Sequence, residues 1–124
     1  MMTLDLNSSN IHNKMISIKQ IKNKRDIDLC YELDSKTISL WSKKQWANEF
    51  KKEGTKIFGL LVKNFVIGIC VFQVVLDEAQ INYFVVNPKF RKKGFGSYLM
   101  SYLIKKCEKS NLKKLLLEVS HRNV

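Results

Sequence analysis

The sequence predicts one α+β domain, a mixed and mostly antiparallel sheet flanked by helices, and three observations carry that prediction. Stretches 56–63, 66–76 and 81–86 are each apolar, rich in β-branched and aromatic residues, and separated by short turns, which is the pattern of an antiparallel meander. The third stretch runs through Asn87-Pro88 and a glycine loop into a helical pattern, which returns to a short apolar run at 115–119. That is a βαβ unit, whose two strands lie parallel with both faces covered. At 124 residues and 45% hydrophobic content, the chain is long enough for one core and short for two.

Taken in order, Ile16-Ser-Ile-Lys-Gln-Ile21 alternates apolar and polar residues and predicts a half-buried first strand. Asp26 then reads as the N-cap of a helix whose apolar stripe is Ile27, Cys30, Tyr31 and Leu33. Ser42 and Gln45 have the spacing of a capping box for a second helix, with Trp41 and Trp46 at the positions of a hydrophobic staple and Phe50 continuing the buried face. Asn64 marks the turn between the first two meander strands, and Asp77-Glu78 the turn into the third. Gly59 and Gly68 mark bulges or close packing. After the glycine loop, Leu99, Met100, Leu103, Ile104 and Cys107 recur at helical spacing; Lys105, Lys106 and Lys109 suit the negative end of the helix dipole. Asn111 suits the left-handed residue that ends such a helix.

Composition excludes several classes. No apolar run approaches the ~20 residues that span a bilayer, and residues 1–14 are polar and asparagine-rich without the apolar core of a secretory signal. These features predict a disordered leader on a cytoplasmic protein. Cys30, Cys70 and Cys107 are odd in number and sit inside apolar periodic segments, so they read as small core hydrophobes rather than a disulfide framework. With His12 and His121 far from them in sequence, no metal-ligand spacing exists. The net charge of +11 is uneven: residues 81–124 carry ten Lys/Arg against two acidic residues. That excess fits attraction of a polyanion or a ribosome-bound target, and equally a solvated lysine-rich face.

The glycine loop is the sharpest signal. Proline at 88 ends the strand because it cannot donate onward, Gly94 and Gly96 allow close approach and unusual backbone angles, and a helix begins directly behind. Unpaired amides at a helix start, with Arg91, Lys92 and Lys93 beside them, suit a phosphate or pyrophosphate; a tight turn with a basic rim is the plainer reading. Neither the dinucleotide pattern G-x-G-x-x-G nor the P-loop pattern G-x-x-x-x-G-K-[ST] is present.

Arg91-x-x-Gly94-x-Gly96, after a strand ending in Val85-Val86-Asn87-Pro88, resembles the acetyl-coenzyme A loop of the GNAT N-acetyltransferase superfamily, written Q/R-x-x-G-x-G/A. Gln73-Val-Val-Leu-Asp-Glu-Ala79 and Leu117-Glu-Val-Ser-His-Arg-Asn123 resemble, more narrowly, the ribosomal-protein-alanine N-acetyltransferases of the RimI type. The resemblance implies a GNAT fold over residues 15–124, incomplete at the C-terminus, where the family continues with a further helix and strands.

It also implies a chemistry. Acetyl-CoA would be the acetyl donor, its pantetheine and acetyl groups held by backbone groups of Phe84, Val85 and Val86 beside a bulge where the parallel strands splay. Its pyrophosphate would lie on the amides of Lys92, Lys93, Gly94, Phe95, Gly96 and Ser97, beside Arg91. Asn123 matches a family asparagine that contacts the donor, and Glu118 matches the catalytic glutamate, the base that takes a proton from the attacking amine. From the residue alone, Glu118 also reads as a solvent-facing strand residue. No metal is implied.

The resemblance places the loop and helix after the first strand on the acceptor side, so Leu40 and Trp41 can be read as groove wall or, with Trp46, as staple and core anchor. The family's general-acid tyrosine lies beyond Val124, and Tyr83, Tyr98 and Tyr102 cannot take that role from sequence. Residues 115–119 are then expected to form an exposed edge that dimerises or is completed by another polypeptide.

Two functions follow. One is an enzyme acetylating a protein N-terminal amine, an alanine of a ribosomal protein, with neither membrane nor nucleic acid as a partner. The other is an inactive remnant that binds acyl-CoA, or a protein or RNA partner.

Overall fold

The computed structural model describes residues 16–90 and 93–117. Five strands form one sheet in sequence order: β1 (Ile16–Gln20), β2 (Thr55–Val62), β3 (Phe65–Val75), β4 (Glu78–Val86) and β5 (Lys114–Leu117). The first three pairings are antiparallel and β4–β5 is parallel, as the meander and the βαβ reading require. The expected leader lies outside the described residues.

The hairpins close where the backbone turns left-handed. Lys63 and Asn64 have φ of 52° and 70°, the two positive angles of a type I′ turn whose twist matches the flanking strands. The second hairpin turns at Leu76 (φ 57°) and Asp77 rather than at Asp77-Glu78, because Glu78 already pairs with Val75 as the first residue of β4.

Helix α1 (Lys24–Lys36) is capped by Asn23, three residues before the expected Asp26: Asn23 Oδ1 accepts the Asp26 amide at 2.9 Å. Asp26 then occupies the first turn and ion-pairs with Lys19 of β1 at 3.1 Å. Helix α2 (Lys43–Lys51) has the expected capping box, Ser42 and Gln45 each accepting the other's backbone amide. Trp41 and Trp46 close the staple with ring centroids 4.8 Å apart.

Helix α3 (Phe95–Lys109) packs one face of the sheet through Phe95, Leu99, Leu103 and Cys107, against Phe58, Cys70, Phe72, Ile81 and Val86. Helices α1 and α2 cover the other face through Ile27, Cys30, Leu33 and Trp46, against Ile57, Ile69, Val71, Tyr83 and Val85. Asn111 (φ 59°) ends the α3 turn as expected, and the Lys113 amide donates to the Asp77 carbonyl at 2.6 Å, fixing β5 beside the start of β4.

One irregularity sets the site. Val71 pairs with Tyr83 and Phe72 with Ile81, so Asn82 is an extra residue in β4, a β-bulge. An inserted residue reverses the alternation of faces. Before the bulge, Ala79 and Ile81 face α3; after it, Phe84 and Val86 face α3 while Tyr83 and Val85 face α1 and α2.

Candidate functional site

The corner between β4 and α3 is built as the sequence suggests, with one distinction between its glycines. Gly94 is the N-cap of α3 at φ 83°, a left-handed conformation, and no side chain caps the helix. The Gly94 carbonyl accepts the Tyr98 amide at 2.9 Å, which leaves Phe95, Gly96 and Ser97 as the first helical turn, whose amides have no partner within the helix. Gly96 has no positive φ, and a Cβ there would lie 3.7 Å from Val86 and 4.0 Å from Phe84, ordinary contacts. Conformation therefore demands glycine at 94, whereas position 96 accepts a small side chain, as the pattern G/A describes.

The strand side of the corner is rigid. Val85 and Val86 are buried and Phe84 is half-buried against the α3 face. Their backbones pair with β3 through Phe84 to Cys70, Val85 to Ile69 and Val86 to Gly68. The chain then bends through a short 3₁₀ turn (Pro88–Phe90), in which Asn87 Oδ1 accepts the Lys89 amide at 3.0 Å. Phe95 is a core residue packed edge-on to Phe90 at 5.9 Å, so its side chain anchors the loop. Lys93 is exposed, its Nζ 5.8 Å from the centre of the Phe90 ring, and Ser97 is half-buried in the first turn of α3. Arg91, Lys92, Glu118 and Asn123 lie outside the described residues.

On the opposite face, the structure assembles a cluster that sequence reading did not identify. Asp34, at 0% exposure, accepts four hydrogen bonds on its carboxylate. Oδ1 takes the Leu40 amide at 2.9 Å and the Tyr83 hydroxyl at 2.8 Å. Oδ2 takes the Trp41 amide at 2.9 Å and the Trp46 indole N–H at 3.0 Å. The Trp41 ring stands 5.1 Å from Tyr83, and Trp46 is fully buried 5.0 Å from the same ring. The staple reading of the two tryptophans thus holds, with Trp46 as the core anchor, while Trp41 is half-buried and Leu40 beside it is 46% exposed. A signal did exist: Ile27, Cys30 and Asp34 fall at helical spacing i, i+3, i+7, so the carboxylate lies on the apolar stripe of α1.

Burial, and next the Asp34 carboxylate that accepts its proton, push Tyr83 far above the usual phenol range. Its hydroxyl is thus committed to the fold and is no proton donor for a substrate. The thiols are equally inert: burial, with Asp26 second, pushes Cys30 up to about 12, and burial also raises Cys70 and Cys107. A cleft of about 440 Å³ lies at the far end of α3, lined by Lys56, Phe72, Lys106 and Cys107 among others. It is a helix length from Gly94 and shares no residue with the loop. Among the described residues no group of His, Cys, Asp and Glu is placed to hold a metal, and no helix is long and apolar enough to cross a membrane.

Residues 22–124 match the family model described as the Acetyltransferase (GNAT) family. The chain belongs to that family. It is 30% identical over 99 residues to the ribosomal protein bS18-alanine N-acetyltransferase of Escherichia coli K12, and 27% identical over 100 residues to a Bacillus subtilis protein named as a putative enzyme of that kind. Each alignment covers 79% of this chain and 66% of the relative, so the GNAT chain spans about two thirds of the length of the curated relatives it matches. The crystal structure of the Escherichia coli ribosomal-protein-S18-alanine N-acetyltransferase superposes with a TM-score of 0.78 at 29% identity, covering 89% of this chain and 70% of that one. The mixed sheet with helices on both faces is therefore the GNAT fold.

Proposed function

We propose that this chain is an acetyl-CoA-dependent N-acetyltransferase, or the donor-binding part of one, acting on a protein N-terminal amine, an alanine of a ribosomal protein. The observation that carries the reading is the β4–Gly94–α3 corner: an uncapped helix N-terminus, opened by a left-handed glycine, at the end of a bulged strand with a parallel neighbour. The family membership and the two similar alanine N-acetyltransferases support the activity and the acceptor class.

The residues present suit acetyl-CoA. The absence of a side chain at Gly96, opposite Phe84 and Val86, leaves backbone accessible where a pyrophosphate would approach, and the first-turn amides carry the positive end of the helix dipole. Lys92, Lys93, Gly94, Phe95, Gly96 and Ser97 would hold that group through their amides, with Arg91 adding charge. Phe84, Val85 and Val86 would align the pantetheine arm along β4, and Asn123 would contact the donor. The donor supplies an activated thioester carbonyl, so no nucleophilic side chain is needed.

The acceptor must attack as a neutral amine. An α-amino group titrates near ~7.7–8.0, so a carboxylate acting directly or through one water is a sufficient base at neutral pH, and Glu118 takes that role. The test is transfer of labelled acetyl from acetyl-CoA to an alanine-starting ribosomal-protein peptide. Transfer that Glu118→Gln abolishes supports the reading. Transfer that survives the substitution removes Glu118 as base, and acetyl-CoA binding without transfer favours the acyl-CoA-binding remnant.

A further inference from the structure

We propose that Asp34 is a positioning residue for the acceptor: its carboxylate holds the 38–41 turn as a fixed wall against which the acceptor N-terminus lies. The inference rests on the acetyltransferase reading above and goes beyond it, because Asp34 touches neither donor nor acceptor.

The hydrogen bonds divide into two kinds. Each carboxylate oxygen takes one amide from the turn and one side chain from the rigid framework: Leu40 with Tyr83 of β4 on Oδ1, Trp41 with Trp46 of α2 on Oδ2. The carboxylate is thus a strap between a surface turn and two buried elements. The Asp34 carbonyl adds a second hold, accepting the Thr37 amide at 3.0 Å and the Ser39 amide at 2.7 Å. Ser39 has φ of 50°, a left-handed conformation that a non-glycine residue adopts only at a cost. The turn is therefore held against its local preference.

Four converging N–H and O–H donors need an acceptor-only group. A carboxylate is one; an asparagine amide offers a single oxygen and sets its own two hydrogens against the remaining donors. The four donors here are neutral, so the site is specific for the shape of a carboxylate rather than for an ion pair.

The strap fixes position where it matters. It keeps the Trp41 ring on Tyr83, the residue immediately before Phe84, and leaves Leu40 exposed beside it. The turn therefore stands beside the strand segment proposed to carry the acetyl end of the donor, and offers apolar surface to the first side chain of an acceptor such as alanine.

The test compares wild type with Asp34→Asn, and with Tyr83→Phe, which removes one donor and keeps the carboxylate, in case the first variant does not fold. Steady-state transfer to an alanine-starting ribosomal-protein peptide is expected to show a rise in peptide KM of about tenfold or more for Asp34→Asn, or a smaller rise for Tyr83→Phe, with acetyl-CoA KM unchanged. Native-state amide exchange is expected to speed up at Leu40 and Trp41 while β4 stays protected. A peptide KM that does not move, or a fall in activity shared equally by both substrates, overturns the proposal. If the wild-type chain transfers no acetyl, the proposed activity fails; the strap is then judged on exchange alone, and unchanged rates at Leu40 and Trp41 in Asp34→Asn overturn it.

Discussion

Ile81 and Tyr83 are two residues apart on β4 yet lie on opposite faces of the sheet, Ile81 against α3 and Tyr83 against α1 and α2. The bulge at Asn82 is the cause, and it delivers the Tyr83 hydroxyl to a carboxylate 49 residues earlier in the chain.

What matters at position 82 is therefore the number of residues, not the side chain. Asn82→Ala is expected to cost no more than about 1 kcal/mol, within the ordinary range for a half-buried strand position. Deleting Asn82 makes Ile81 and Tyr83 neighbours in regular alternation, still opposite Phe72 and Val71, so the variant is expected to keep a cooperative urea transition but to weaken acetyl-CoA binding, because the local bend of β4 is lost. A deletion variant that no longer unfolds cooperatively would refute the assignment of the bulge.

Asp34 joins four donors on the α1–α2 face through one buried carboxylate. Asp34→Ala leaves two buried side-chain donors without an acceptor and is expected to cost about 3–5 kcal/mol, while Tyr83→Phe, which removes one charge-assisted bond, costs about 1.5–3 kcal/mol. Equilibrium denaturation at pH 7 reads both. Equal costs for the two variants would contradict the four-donor arrangement.

The raised pKa values of the buried groups give a pH dependence of known sign. Burial keeps Cys30 and Tyr83 protonated in the fold, with Cys30 raised from 9.0 to about 12 and Tyr83 raised from 10.0. The unfolded chain releases these protons at the ordinary values. Their contribution is thus fully present below pH ~9, and declines above it by up to about 1.4 kcal/mol per pH unit per group, Cys30 first and Tyr83 from pH ~10. Tyr83→Phe should flatten the fall in stability above pH 10 without changing its slope between pH 6 and 8. Parallel curves for variant and wild type across the alkaline range would be the contrary result.

The two loop glycines should respond differently to alanine. Gly94→Ala forces a side chain into φ 83° and is expected to cost about 1–2 kcal/mol and to weaken acetyl-CoA binding, because the loop must turn elsewhere. Gly96→Ala adds a Cβ in ordinary contact with Val86 and Phe84, and should leave stability within about 0.5–1 kcal/mol of wild type or slightly above it, alanine being the better helix former. Isothermal titration and thermal melts of the two variants separate these outcomes.

Much of this was legible in the sequence because it is written in local patterns. The capping box at Ser42 and Gln45, the turn at Asn64 and the left-handed Asn111 depend on residues within four positions of one another. Asn23 and Asp26 are both good caps at helical separation, so the choice between them rested on backbone geometry that composition does not carry. Asp34 was only partly legible: it falls on the apolar stripe of α1, but in Tyr-Glu-Leu-Asp-Ser it looks solvated, and its burial depends on donors contributed by Leu40, Trp41, Trp46 and Tyr83. The bulge, which the family resemblance implies, does not show in the strand's own pattern. Ile81, Tyr83 and Val85 alternate like one buried face, and only the register against β3 shows that they are two.

The central claim is that the β4–Gly94–α3 corner binds acetyl-CoA, and thermal unfolding with and without the compound tests it most directly. At about 100 times its Kd, a ligand that binds only the folded chain adds roughly 2.7 kcal/mol, a rise of several degrees for a domain of this size. The account predicts that rise in wild type and its reduction in Gly94→Ala. A cooperative transition whose midpoint does not move with saturating acetyl-CoA would contradict it.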